Sequence, residues 1–376
     1  MKFNLEIESV EAEVKENVLV IYSKELLRVL SSAVLNGGLK EANGIINVQV
    51  PENCGQDKND IHWNAQDFLK EQVQKLQLPS DKIVGLMTAA KMKNVATATR
   101  KYDETTVTVF VTAGTTVAVT AGEPTASRKS SVEQKCGTIN IVVLVDGNLT
   151  ENSMVEAHKT ITEAKTVALR ELDVRSQLSG DIATGTLTDS IAVACTGKGD
   201  TISFAGTFTM IGELIGYCVR ECVKEAIYMQ EQIAANRPLQ RRLAERRIQT
   251  EHIASLLTEP SIPVESPIYQ RLKKEVEQML ADRKIASLVL TSLRYDDDLR
   301  KDLIPVSSND SVETGAFEEI VQVAVRNYLD NNKSLCNNAR IKQKSEDEIE
   351  VGPLTACVFK AISENAYSRI CKADDS

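Results

Sequence analysis

Gly137-Thr138-Ile139-Asn140-Ile141-Val142-Val143-Leu144-Val145 is the stretch that decides the fold. A glycine and a threonine open a β-branched run of the kind that forms a buried strand. Asp146-Gly147-Asn148 turns the chain, and a helical pattern runs from about Ser153 to Leu172. Ala183-Thr184-Gly185-Thr186-Leu187-Thr188-Asp189 follows, and a second apolar run, Ser190–Cys195, comes directly after it. Strand, helix and strand thus surround a segment crowded with glycine, hydroxyls and one carboxylate. Glycine lets a backbone approach a ligand closely, and hydroxyls with amide N–H groups supply hydrogen bonds in a small space. That combination marks a binding or catalytic loop.

Working outward, the same periodicities predict strands at Val18–Tyr22, Ile45–Val50, Ile83–Met87, Thr105–Val111, Thr138–Leu144, Ser190–Cys195 and Thr201–Phe204. Thr196-Gly197-Lys198-Gly199-Asp200 reads as a hairpin turn joining the last two. Helices are expected at Ala65–Leu76, Ser153–Leu172 and Met210–Gln232. Without strict strand–helix alternation the pattern is α+β: a layered domain with a mixed β-sheet and flanking helices, over residues 1–237. Beyond Pro238 strand signals nearly vanish. A basic segment (Arg237, Arg241, Arg242, Arg246, Arg247) is followed by a proline-rich break at Thr258–Pro267. Amphipathic faces come next: Ile268, Leu272, Val276 and Leu280; then Phe317, Ile320, Ala324 and Tyr328. A polar loop at Asn331–Gly352 leads to Leu354, Val358, Ile362, Ala366 and Ile370. Residues 238–376 are read as an all-helical C-terminal domain, a docking element for a second copy or a protein partner.

The chain has 376 residues, enough for two cores, and a net charge of −9, which argues against a nucleic-acid partner. No run of 18 apolar residues is present and the N-terminal MKFNLEIESVEAEVKE lacks an apolar signal core, so neither a membrane span nor secretion is expected. Eight cysteines are scattered without a CxxC pair, as suits reduced thiols in a cytoplasm. Cys218 and Cys222 lie four apart on a helix; two buried small hydrophobes explain them more simply than a metal. No metal and no cofactor are called for: HExxH and clustered ligands are absent, and His62, His158 and His252 are the only histidines. No GxSxG elbow occurs either.

On a helical wheel for 153–172, Met154, Ala157, Ile161, Ala164, Ala168 and Leu172 form the apolar stripe. His158 and Lys165 flank it, whereas Glu163 points outward. The pair supplies either a base and a cation for catalysis or merely a snorkelling lysine beside a part-exposed histidine. Asp189 either orients a threonine or satisfies turn N–H groups. Thr138 and Thr186 are nucleophile candidates without a partner base near them in sequence.

The GTIN, TEAKT and ATGTLTD segments, with LNGGL (35–39), VGLMTAA (84–90), VTAG (111–114), AGEP (121–124), FAG (204–206) and IGELIG (211–216), occur in the order seen in one family. Over roughly residues 18–229 the chain resembles the adenosylcobinamide amidohydrolases of corrinoid salvage. The resemblance implies hydrolysis of the aminopropanol amide of adenosylcobinamide to adenosylcobyric acid, with a corrinoid as the small-molecule partner. It implies a site built from segments 112–114, 137–140, 158–165 and 184–189. Lys165, His158, Asp189 and Thr186 would be catalytic there; Thr112, Gly114, Thr138, Asn140, Thr184 and Gly185 would bind substrate. Three positions depart from the family pattern. Val117 stands where Asn is usual, Leu187 where Gly is usual, and Phe208-Thr209-Met210 where His-Thr-Lys is usual. A divergent, non-catalytic corrinoid-binding or regulatory protein of the same fold is therefore the alternative.

Overall fold

The computed structural model describes residues 1–51, 64–124, 137–255, 265–304 and 352–374. The chain divides into two compact units, Met1–Ala235 and Asn236–Ser376. The first is α+β. Its strands are β1 (Lys2–Phe3), β2 (Val10–Lys15), β3 (Val18–Ser31), β4 (Gly38–Gln49), β5 (Ile83–Thr88), β6 (Ala96–Tyr102), β7 (Thr105–Gly114), β8 (Ala118–Val119), β9 (Thr138–Asp146), β10 (Asn148–Leu149), β11 (Gly185–Thr186), β12 (Ser190–Cys195) and β13 (Thr201–Ile202). Its helices are α1 (Ala65–Lys75), α2 (Glu151–Glu171) and α3 (Met210–Glu231).

Nine strands form one mixed sheet in the order β1-β2-β3-β12-β9-β7-β6, with β4 paired to β3 and β5. β12 runs parallel to β9 and antiparallel to β3; β4 and β5 are parallel. Long β3 carries an irregularity between Tyr22 and Leu27, which lets its two halves serve different neighbours. Strand alternation in β9 shows the layering. Ile139, Ile141 and Val143 join a core with Met154, Ile161, Ile215 and Val219 of α2 and α3. Val142 and Leu144 face the other way, into a core with Ile21, Ile45, Val84 and Leu86. The far side of β4 and β5 packs Ile46 and Ile83 on Leu69 and Val73 of α1. Four layers result: two helices, one leaf of sheet, a second leaf, one helix. A strand buried on both faces needs continuous hydrophobicity, which the run Ile141–Val145 supplies.

Helix α2 starts where Thr150 caps it, its hydroxyl accepting from Ser153 N–H at 3.1 Å. Helix α3 is capped likewise by Thr209. Two sequence expectations fail here. Strand β13 does not form a hairpin with β12; it pairs in parallel with β10. The reason is that β12 already has a neighbour on each side, β3 and β9, and offers no edge. Strands β2 and β6 were not anticipated, because VEAEVK and ATATRKY carry charges on their exposed positions.

The second unit is helical where described: α4 (Leu239–Glu245), α5 (Thr250–Ser255), α6 (Pro267–Ala281), α7 (Arg283–Arg300) and α8 (Pro353–Asp374). Leu272, Val276 and Leu280 are buried together with Leu354-side residues Val358, Ile362, Ala366 and Ile370. Ile268 is not on that face; it is exposed, and Tyr269 is buried instead. Of the basic segment, Arg237 is buried against Glu245, and Arg246 against Asp297. The proline-rich stretch up to residue 264, the face of Phe317, Ile320, Ala324 and Tyr328, and the loop from Asn331 to 351 lie outside the described residues.

Candidate active site

The site forms where β9 and β12 begin and α2 passes over them. Parallel pairing sets Ser190 opposite Asn140, so Asp189 and Ile139 are adjacent across the strands. Ile139 N–H donates to Asp189 Oδ1 at 2.9 Å, and Thr186 N–H donates to Oδ2 at 3.1 Å. The Thr186 hydroxyl also reaches Oδ1, at 2.5 Å, while lying 2.9 Å from the Gly137 carbonyl. From α2, Lys165 Nζ meets Oδ2 at 2.5 Å, with the two side chains only 8% and 12% exposed. Three separate segments, GTIN, TEAKT and ATGTLTD, thus close on one carboxylate. Asp189 has about four lone-pair sites, and these four donors occupy them. It is an organiser, drawing three segments of the chain onto one group.

Lys165 is different. Its ammonium has three N–H donors, and Asp189 is its one hydrogen-bond partner among the described residues. Its side chain is buried, so the wheel's inward placement holds, and Glu163 is exposed on the far face. Gly185 makes the approach feasible: a Cβ there would stand 2.5 Å from Asp189 Oδ2 and 2.8 Å from Lys165 Nζ. Gly137 is needed for a similar reason, since its Cβ would lie 2.8 Å from the Val117 nitrogen.

His158 lies half-buried on the same flank of α2 as Lys165. Burial pushes its pKa below 6.5, a backbone hydrogen bond opposes this, and the Lys165 charge lowers it further. His158 stands two turns before Lys165, about 10 Å along the helix axis, so a substrate group would have to lie between the imidazole and the ammonium to meet both. His252 sits in α5, in the second unit, and His62 lies outside the described residues.

Thr138 Oγ1 is 2.6 Å from Thr188 Oγ1, and Thr188 is 3.2 Å from the Gly137 carbonyl. This hydroxyl chain ends on a carbonyl, so it provides Thr138 with no base. Thr186 does touch a carboxylate, Asp189 three residues along, which is the threonine-orienting contact that the sequence offered as one reading of Asp189. Thr112 and Asn140 lie deeper, on the face between the two leaves, with Asn47 of β4. Asn47 Nδ2 donates to Thr112 Oγ1, and Asn140 Nδ2 donates to Asn47 Oδ1, both at 2.9 Å. Gly114 ends β7 opposite Thr138 of β9, beside Glu231 and Gln230 of α3. Thr184 faces the 118–121 turn, accepting from Ala121 N–H at 2.8 Å. Asn47 is the functional candidate that sequence reading missed.

Two of the three departures adjoin the Asp189 cluster, because the pairing of Thr186 with Ala118 brings Leu187 alongside Val117. Val117 is buried, and Leu187 is 40% exposed beside the Asp189 cluster. Phe208 is fully exposed. The loop before it is fastened to α2 through Glu156 and Thr160, on the flank opposite Lys165. Phe208 and Leu187 therefore do not share this site. Cys218 and Cys222 are buried in the helix–sheet core, where desolvation lifts the Cys218 thiol to about 11 and the Cys222 thiol higher still. These are inert thiols. No group of three or more metal-ligating side chains occurs among the described residues, and no described helix is long and apolar enough to cross a membrane.

Comparison with known proteins bears on the same region. The chain is 34% identical over 244 residues to an uncharacterized protein of Methanocaldococcus jannaschii, covering 61% of this chain and 92% of that one. It is 29% identical over 208 residues to the adenosylcobinamide amidohydrolase of Methanosarcina mazei, covering 53% of this chain and 90% of the relative. A solved structure, the l-aminopeptidase d-ala-esterase/amidase of Ochrobactrum anthropi, aligns over 60% of this chain and 83% of that one. Its TM-score of 0.29 and 10% identity are too slight to bear on the chemistry. The family model for adenosylcobinamide amidohydrolase matches residues 3–235, the whole layered unit with its GTIN, TEAKT and ATGTLTD segments. The chain belongs to the adenosylcobinamide amidohydrolase family.

Proposed function

We propose that this protein hydrolyses the aminopropanol amide of adenosylcobinamide, releasing aminopropanol and adenosylcobyric acid. The observation that carries the reading is the buried Lys165, held by Asp189 with N–H donors to spare, at the meeting point of the family's motif segments. Amide hydrolysis needs a base for water, a donor for the carbonyl oxygen as it becomes anionic, and a proton for the leaving nitrogen. Neutral His158 takes a proton from water as the water oxygen bonds to the carbonyl carbon. The Lys165 ammonium donates to the oxyanion. As the C–N bond breaks, the His158 imidazolium returns its proton to the amine nitrogen. Thr186 and Asp189 orient the lysine; Thr112, Thr138, Asn140, Thr184, Gly185 and Gly114 shape the surroundings and the substrate path. A corrinoid is the small-molecule partner, and nucleic acid is not expected for a chain of charge −9.

The second reading, a binding protein without turnover, draws on Leu187, an exposed apolar side chain where a flexible glycine is usual. One experiment separates the two. Wild-type protein is expected to release aminopropanol from adenosylcobinamide, and Lys165→Met to bind the corrinoid while releasing about 10²–10³ times less. Undiminished turnover by Lys165→Met would sink the assigned role. Tight binding by wild type without any release would select the second reading.

A further inference from the structure

Asn140 is 1% exposed, and both its amide protons are committed, to Asn47 Oδ1 at 2.9 Å and to the Met87 carbonyl at 2.6 Å. Those two bonds fix which way the carboxamide points. Its oxygen, Oδ1, is left buried with no partner. A lone buried acceptor is costly and is normally met by some donor. Asn47 holds the arrangement. Its oxygen takes the Asn140 proton, and its own amide is anchored on Thr112 Oγ1, so β4, β7 and β9 all contribute.

The position says what kind of donor fits. Asn140 follows Ile139, whose N–H binds Asp189, so the acceptor lies one residue along β9 from the Asp189 cluster, on the strand face turned to β4 and β5. On its strand face it lies between Thr138 at the start of β9 and Val142 in the apolar core between the leaves. The oxygen is uncharged, so a neutral O–H or N–H suits it. Resting on the amidohydrolase reading, we propose that Asn140 Oδ1 accepts the hydroxyl of the aminopropanol arm, and that Asn47 is the positioning residue that keeps Asn140 turned for it. Leaving-group choice then lies with this pair, not with Lys165 or His158.

The test compares kcat/KM for adenosylcobinamide and for its analogue with a propylamine arm, which lacks the hydroxyl, in full-length protein. Wild type is expected to prefer the hydroxylated arm by roughly 10- to 100-fold. Asn140→Leu and Asn47→Leu should abolish the preference. Asn47→Asp should keep it, because the Thr112 hydroxyl can turn to donate to a carboxylate that still accepts from Asn140. A thermal melt accompanies each variant; if Asn140→Leu does not fold, Asn47→Leu and Asn47→Asp decide. An equal kcat/KM for both arms in wild type overturns the proposal and leaves Asn140 Oδ1 to a water only. A preference that survives Asn47→Leu, with a lowered melting temperature, makes Asn47 merely structural and overturns its part. Hydrolysis of neither arm by wild type refutes the amidohydrolase reading itself, a result distinct from the loss of preference.

Discussion

At the scale of single residues, the account rests on an ion pair whose members are unequal. Asp189 is saturated, while Lys165 has N–H groups to give. Breaking a buried pair by removing one partner costs about 3–5 kcal/mol, because the other charge is stranded. Here two N–H groups and a hydroxyl remain on Asp189, so Lys165→Met should fall at the low end, about 3 kcal/mol. Lys165→Met with Asp189→Asn removes both charges but turns an amide NH2 against a backbone N–H, that of Ile139 or of Thr186, so it should gain little stability over Lys165→Met and be equally inactive; urea melts on the two single mutants and the double give the coupling. A double mutant far more stable than Lys165→Met would mean that the charge stranded on Asp189 outweighs these backbone contacts. His158 adds a pH signature. Its folded pKa lies below 6.5, so the unfolded chain takes up a proton that the folded protein refuses. Its contribution to stability is whole above 6.5 and declines as pH falls from there toward the folded value. As a base it should also place the acid limb of kcat/KM below 6.5, and His158→Gln should remove that limb along with about 10²–10⁴ of the rate. An unchanged limb in His158→Gln would assign it to another group.

At the scale of elements, legibility followed the locality of each signal. Strands β9 and β12 were readable because burial on both faces leaves an unbroken apolar run. Helix α2 was readable because Met154, Ala157, Ile161, Ala164 and Ala168 repeat at helical spacing, and the same wheel turned Lys165 inward. The supposed hairpin at 196–200 was misread because turn residues say nothing about whether the preceding strand has a free edge. Asn47 was illegible for another reason: its partner Asn140 is 93 residues away, and a lone asparagine in a strand gives no sign of what it meets. Gly185 is the element-scale test, since β11 must pass close enough for Thr186 and Asp189 to reach Lys165. Gly185→Ala puts a methyl where Asp189 Oδ2 is 2.5 Å away. Such overpacking costs about 1–3 kcal/mol, and the displaced pair should lose activity out of proportion to that. Wild-type activity in Gly185→Ala would show that the loop gives way freely and that the close approach is not required.

At the scale of the whole molecule, the hydrophobic cores stay within their own units. Those of the layered unit draw on residues up to Ile233, and that of the helical unit begins at Leu239. A chain ending at Ala235 should therefore melt cooperatively and keep its activity, whereas one ending at 237 would carry Arg237 without Glu245, the carboxylate that meets it in the full chain. Aggregation of residues 1–235 under conditions where the full chain is native would make the helices part of the same folding unit. All of this hangs on the chemistry assigned to the layered unit, and product analysis tests that most directly. Full-length protein incubated with adenosylcobinamide is predicted to yield aminopropanol and adenosylcobyric acid in equal amounts over many turnovers, and Lys165→Met to yield neither. Recovery of intact adenosylcobinamide from wild-type protein that has demonstrably bound it would contradict the account.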